Sequence, residues 1–145
     1  MIAIGCDHGG FRLKEEIIRY LEENGYKYND FGTYDENSVD YPDIAAKVCG
    51  AVTEGNCDKG ILICGTGLGM NMCANKYKGI RAAQCHDTFS AKMTRRHNNA
   101  NVLTMGGRVV GPELAKEIVR EFLTNEFEGG RHEKRIKKMM NIENN

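Results

Sequence analysis

The chain has 145 residues, room for one domain or a tight pair of very small ones, and enough to bury a core without disulfide or metal staples. Hydrophobic residues are 41% and charged residues 28%, which excludes a disordered or fibrous chain, and no apolar run approaches the roughly 20 residues a membrane helix needs. Basic and acidic residues balance at 20 each, but residues 1–60 carry 6 basic and 12 acidic residues while residues 61–145 carry 14 and 8, a skew compatible with nucleic-acid binding, a small anionic substrate or a basic end meeting an acidic surface.

Met1–Cys6 reads as a first strand, ending in Asp7-His8-Gly9-Gly10. Phe11–Asn24 follows with Leu13, Ile17, Ile18 and Leu21 on one helical face, stopped by Gly25. Lys27–Phe31 alternates as a second strand, residues 32–41 form a polar loop, and Pro42 suits the opening of a helix over about Asp43–Thr53. Gly60–Cys64 is apolar throughout, as a central strand covered on both faces should be. It breaks at Gly65-Thr66-Gly67-Leu68-Gly69, and a short helix runs to about Lys76. Ile80–Cys85 is a fourth strand, and His86-Asp87-Thr88 starts a helix to about His97. Val102–Met105 is a fifth strand, and Pro112 opens an amphipathic helix carrying Leu114, Ile118, Val119, Phe122 and Leu123.

This alternation predicts an α/β fold: a three-layer, Rossmann-like open sheet of five parallel strands joined by right-handed crossovers, with helices on both faces. A C-terminal basic helical tail, Arg131–Asn145, follows Glu128-Gly129-Gly130. Its apolar anchors are only Ile136, Met139 and Met140, so it has little to bury against its own domain and is expected to pack on another subunit. No secretory signal is visible at the start of the chain, and the 6 cysteines form neither C-x-x-C nor zinc-ligand spacings, so reduced thiols and a cytoplasmic location are expected.

In open α/β sheets ligands bind beyond the carboxyl ends of the strands, which directs attention to Asp7-His8, the Tyr41 loop, Cys64–Gly69, His86-Asp87 and Gly106-Gly107-Arg108. The CGTGLG loop is the most informative. Three glycines in five residues let backbone N–H groups turn inward as an anion nest, with a helix start behind them. No Lys-Ser/Thr follows, so it is not a Walker loop, and its place after the third strand argues against a dinucleotide site. Cys64, at a helix N-terminus, is expected to have a lowered pKa and to serve either as a nucleophile or as a base beside a carbonyl. Asp7 and His8 should point to opposite faces, so no dyad is implied. His97 is expected near a helix C-terminus, Arg95 and Arg96 at the surface, and Arg131, His132 and Arg135 on one helical face where they could converge on an anion or an acidic partner.

GCDHGG at the start, DYPD at 40–43, ICGTGLGM at 63–70, ANK at 74–76, RHNNAN at 96–101, GGRVVG at 106–111 and EGGRHEKR at 128–135 together resemble the type B ribose-5-phosphate isomerases, a family that also contains allose-6-phosphate and galactose-6-phosphate isomerases. The resemblance runs from Met1 to about Ile142. It implies a single domain over residues 1–145 whose 128–145 tail embraces a partner. It also implies interconversion of ribose 5-phosphate and ribulose 5-phosphate without metal or cofactor, by a homodimer sometimes paired into a tetramer, with the site between subunits. By motif, Cys64 is the base between C1 and C2, Thr66 relays protons at O1 and O2, and the Gly65, Gly67, Leu68 and Gly69 amides hold the enediolate. His97 opens the furanose ring and Asn98 holds hydroxyls. Asp7, His8 and Tyr41 line the sugar, while Arg108 and the partner's Arg131 and Arg135, helped by His132, hold the phosphate. One branch of the family uses a glutamate directly after the glycine loop; Met70 stands there in this chain, which leaves the role to Cys64. Neither nucleic acid nor membrane is an expected partner on this reading. The alternatives from other classes are a flavodoxin-like or receiver-like binding domain, and a thiol hydrolase using Cys64 as nucleophile.

Overall fold

The computed structural model covers residues 1–145. Its elements in chain order are β1 (Ile2–Cys6), a 3-10 turn (His8–Gly10), α1 (Phe11–Glu23), β2 (Tyr28–Asp30), α2 (Tyr41–Thr53), β3 (Lys59–Cys64), α3 (Leu68–Ala74), β4 (Ala82–Gln84), α4 (Thr88–Asn98), β5 (Val102–Gly106), α5 (Pro112–Thr124) and α6 (Arg131–Asn141), then a last 3-10 turn (Ile142–Asn144). All strand pairs are parallel, in the order β2-β1-β3-β5-β4.

That order explains the layers. The steps from β1 to β2 and from β4 to β5 run in one direction across the sheet, and those from β2 to β3 and from β3 to β4 run in the other. Right-handed crossovers then place α1 and α4 on one face and α2 and α3 on the opposite face. The core divides in that way. Ile61 and Ile63 pack with Leu13, Ile17 and Leu21 of α1, Ala91 of α4, and Ile118, Val119 and Phe122 of α5. Leu62 and Cys64 pack with Ile44, Ala45 and Val48 of α2 and Met70 and Ala74 of α3. The alternation along β3 follows the pleat of a strand buried on both faces.

The outer strands are shorter than the sequence pattern predicts: β2 is Tyr28–Asp30, not Lys27–Phe31, and β4 is Ala82–Gln84, not Ile80–Cys85. Each has one neighbour only, and side chains take over at their margins. The Asn75 amide donates to Ala82 O (3.0 Å) and accepts from Ala82 N–H (2.8 Å), covering the free edge of β4 and ending α3 at Ala74 instead of Lys76. At the other edge Lys14 is buried and donates to Asp30 Oδ1 (2.6 Å) and Thr33 O (2.5 Å), tying α1 to the end of β2.

Arg95 corrects its expected surface placement. It is 8% exposed, with Nη1 donating to Ala100 O (2.6 Å) and Asn99 Oδ1 (2.9 Å), so it closes the turn after α4 instead of facing solvent. The tail also lies closer to its own domain than its composition suggests. His132 of α6 stacks on His97 of α4, and the Glu143 carboxylate accepts from Gly79 N–H (3.0 Å). No helix is long and apolar enough to cross a membrane.

Candidate active site

The loops after β1, β3 and β5 meet backbone to backbone at the carboxyl ends of the central strands. Between β1 and β3 the crossovers diverge, which opens a crevice there. Gly107 N–H donates to Cys64 O (2.8 Å) and Arg108 N–H to Gly65 O (3.0 Å), so the β5 loop is fastened along the glycine loop. His86 Nε2 accepts from Gly106 N–H (3.0 Å) and steadies the same junction from β4. Gly67 is the pivot. Its φ is +81°, a left-handed conformation, and a Cβ there would stand 2.8 Å from the Met105 carbonyl carbon, so any side chain would force the loop to shift.

Cys64 ends β3 and is 5% exposed. Its Sγ accepts from Gly67 N–H at 3.1 Å, which holds the sulfur against the glycine loop at the start of α3. Thr66 Oγ1 accepts from Leu68 N–H (3.3 Å), leaving its own hydroxyl hydrogen free to turn outward. The Gly67 and Leu68 amides are thus already engaged. The N–H groups of Gly65, Thr66, Gly69 and Met70 make no hydrogen bond, and Asn71 is the first of α3 to find a backbone acceptor, Gly67 O at 3.0 Å. These are the unpaired donors of a helix start, and they ring the loop beside the sulfur.

Around this loop stand the other residues singled out at the carboxyl ends. The Tyr41 ring lies on Gly69, with Cε1 2.6 Å from where a Cβ would be, and Arg108 lies over Gly65, with Nη1 at 3.2 Å from the equivalent point. Asp7 Oδ1 accepts from Gly9 N–H (2.9 Å) and His8 Nδ1 from Val39 N–H (3.3 Å). The two side chains engage separate backbone groups, in keeping with the absence of a dyad. A cleft of about 410 Å³ lined by His8, Gly9, Gly107 and Arg108 adjoins the site, and the ion pair of Arg12 with Glu36 (2.5 Å) forms its rim.

His97, Asn98, Arg131, His132 and Arg135 are elsewhere. Helix α4 runs back from the end of β4 to the start of β5, and the segment just after it bonds to strand beginnings: Asn101 O accepts from Gly60 N–H (2.9 Å), and Asn99 O from Arg81 Nε (3.0 Å). His97 therefore lies toward the amino-terminal edge of the sheet, about the length of β3 away from Cys64, on the order of 13 Å at the rise of a parallel strand. There its ring stacks on that of His132, with centroids 4.2 Å apart and planes 11° from parallel. Glu128 Oε1 lies between them, 3.7 Å from His97 Nε2 and 3.6 Å from His132 Nε2. Burial, then the charges of His97 and Arg131, push the His132 pKa below its usual value. Arg131 and Arg135 project from α6 one turn apart, and Asn98 borders a cavity of about 560 Å³ beneath Met139 and Met140. One chain thus carries two separated groups of candidate site residues.

Glu128 stands four residues before His132, but nothing in the sequence pattern signals that its carboxylate reaches toward both imidazoles. Burial pushes the Cys6, Cys49 and Cys85 thiols up to about 12 and raises that of Cys57 as well.

Known proteins resemble this chain over nearly its whole length. Residues 2–139 match the family described as Ribose/Galactose Isomerase. Ribose-5-phosphate isomerase B of Escherichia coli is 51% identical over 142 residues, covering 98% of this chain and 95% of that protein. D-erythrulose-4-phosphate isomerase of Pectobacterium atrosepticum is 49% identical over 141 residues, covering 95% and 91%. The structure of Clostridium thermocellum ribose-5-phosphate isomerase B superposes with a TM-score of 0.97 at 54% identity, covering 99% of this chain and 97% of that one.

Proposed function

The chain belongs to the ribose/galactose isomerase family, and from that premise we propose that it interconverts ribose 5-phosphate and ribulose 5-phosphate as an aldose–ketose isomerase needing no metal. The observation that carries this is the Cys64 sulfur, turned by Gly67 N–H toward a loop whose Gly65, Thr66, Gly69 and Met70 amides have no partner.

Cys64 Sγ takes the proton from C2 of the open-chain aldose. The C2–H electron pair forms the C1–C2 double bond, and the carbonyl electrons move onto O1. The negative charge then lies on oxygen, where preorganised N–H donors stabilise it more strongly than water can. Thr66 Oγ1 passes a proton from O2 to O1. The sulfur returns its proton to C1 as O2 becomes the carbonyl, so atoms and electrons balance with no redox partner. Arg108 faces the phosphate across the cleft beside His8, and Tyr41 and Asp7 bound the sugar.

A five-carbon sugar phosphate cannot span from Cys64 to His97 of the same chain. The site is therefore completed by a second copy, whose His97 opens the furanose ring, whose Asn98 holds hydroxyls, and whose tail, residues 128–145, brings Arg131, His132 and Arg135 to the phosphate. A homodimer is the smallest assembly that does this, and pairs of dimers can form tetramers. Exposed Leu68, Met72 and Phe89 near the glycine loop offer apolar surface for the contact. Six free cysteines fit a reducing, cytoplasmic setting.

The test is a substrate panel: ribose 5-phosphate, allose 6-phosphate and D-erythrulose 4-phosphate. The pentose should have the highest kcat/KM. A preference for the four-carbon sugar, on which the Pectobacterium relative is named, would keep the chemistry and replace the substrate.

A further inference from the structure

We propose that Gln84 is a positioning residue for the proposed base: its amide holds the Thr66–Gly67 peptide in the orientation that aims Gly67 N–H at the Cys64 sulfur. The catalytic part rests on Cys64 as the base; the hold on the peptide does not.

Thr66 O and Gly67 N–H belong to one planar peptide group and point in opposite directions. Gly67 N–H donates to Cys64 Sγ at 3.1 Å, and Thr66 O accepts from Gln84 Nε2 at 3.0 Å. No backbone N–H reaches Thr66 O, so the glutamine amide is its hydrogen-bond partner. A hydrogen bond at the carbonyl also polarises the peptide and strengthens the donor at its other end. Gln84 thereby acts on the sulfur without touching it.

This peptide needs a hold. Gly67 has φ +81° and ψ −17°, the values of the third residue of a type II turn. A type I turn over the same residues has its central peptide rotated by about half a turn, and glycine takes either sign of φ without steric cost. In the rotated form Thr66 O would face the sulfur in place of Gly67 N–H. A carbonyl oxygen there opposes a thiolate, where an N–H donor stabilises it. The bond from Gln84 favours the observed orientation, in which the carbonyl turns toward β4.

The pleat of β4 delivers this side chain. Ala83 and Cys85 pack with the core cluster of α1, α4 and α5, so Gln84 and His86 project to the other face, where α3 begins. Thr104, beside Gln84 in the sheet, marks the same face, since its hydroxyl accepts from Asn71 Nδ2 of α3 (3.2 Å). His86 holds Gly106 N–H, and Gly106 lies against the same carbonyl: a Cβ there would stand 2.7 Å from Thr66 O. Two side chains of one edge strand thus brace the glycine loop and the β5 backbone behind it.

The test compares Gln84→Met, which keeps the length and removes the donor, with Gln84→Lys, which returns a donor on a chain of similar reach. The residue is half-buried on an edge strand, so both variants should fold with unfolding midpoints close to wild type. In Gln84→Met, kcat for ribose 5-phosphate should fall about three- to tenfold, the range of one lost hydrogen bond, with KM near the wild-type value. Gln84→Lys should recover most of that loss. Solvent exchange of the Gly67 amide proton, read by NMR on isotopically labelled protein, should be about tenfold faster in Gln84→Met, while the Ile61 and Ile63 amides of β3 keep their rates. Unchanged Gly67 exchange overturns the hold on the peptide, whatever happens to kcat. Faster exchange with unchanged kcat overturns the catalytic part, as does a rise in KM with kcat kept, which would put Gln84 on the substrate. Failure of the underlying reading shows separately: near-normal turnover in Cys64→Ala would remove the base, while Gly67 exchange in Gln84→Met would still decide the hold.

Discussion

Mixing two damaged chains should restore activity. Cys64→Ala lacks the proposed base, and His97→Ala lacks the proposed ring-opening group; each variant, in the proposed homodimer, has the same lesion in both of its sites. The two residues lie at opposite ends of the sheet in one chain, so on the proposed function each site takes Cys64 from one copy and His97 from the other. A mixed dimer then has one intact site and one doubly damaged site. Equal amounts pairing at random give mixed dimers in half of all pairs, so about a quarter of wild-type activity should return. The assay is ribulose 5-phosphate formation after co-expression with two different tags, with the doubly tagged species isolated. That isolated species should approach half of the wild-type rate. A mixed dimer no more active than the parents would refute the sharing of the site and return His97 to some role within its own chain.

Two further outcomes follow from the geometry. Gly67→Ala forces a left-handed backbone at a cost of about 1–2 kcal/mol and pushes a methyl group toward the Met105 carbonyl carbon. The denaturant midpoint should fall and kcat/KM should fall further than stability does, since the donor to Cys64 Sγ moves; unchanged values for both would contradict the role of this turn. The buried thiols should be silent in the native protein. With Cys6, Cys49 and Cys85 held up to about 12, a thiol reagent at pH 8 should modify none of them before unfolding, and substrate should protect Cys64. Raised values also set the sign of the pH dependence. Their contribution to stability is complete below the ordinary thiol pKa and is lost as pH rises toward about 12, because the unfolded chain ionises first. Rapid native modification of Cys49 would contradict this.

The order of strands and helices was legible because glycine and proline punctuate it and because β3 is apolar at every position. The glycine loop with Cys64 was legible for the same local reason: three glycines beside a thiol are readable without any long-range contact. The sheet order was not, since the skip of β4 past β5 depends on packing between distant segments. The separation of Cys64 from His97 within one chain was half legible. A helix returning to the next parallel strand must deliver its end, and His97, to the opposite edge from Cys64, but this follows only once the parallel sheet is in hand. Arg95 is not legible as buried because a charged residue rarely is, and only Ala100 O and Asn99 Oδ1, which receive its guanidinium, make that burial tolerable. The apolar anchors of the tail gave no hint of the stacking of His132 on His97, which is specified by ring geometry and not by hydrophobic periodicity.

Deuterium transfer in heavy water tests the central chemistry most directly. Wild-type protein turning over ribose 5-phosphate should incorporate solvent deuterium at the carbon that receives the proton. Cys64→Ala should lose both exchange and turnover, by the ~10²–10⁴-fold typical of a removed general base, while its unfolding midpoint stays close to the wild-type value. Near-normal exchange and turnover in that folded variant would show that another group carries the proton.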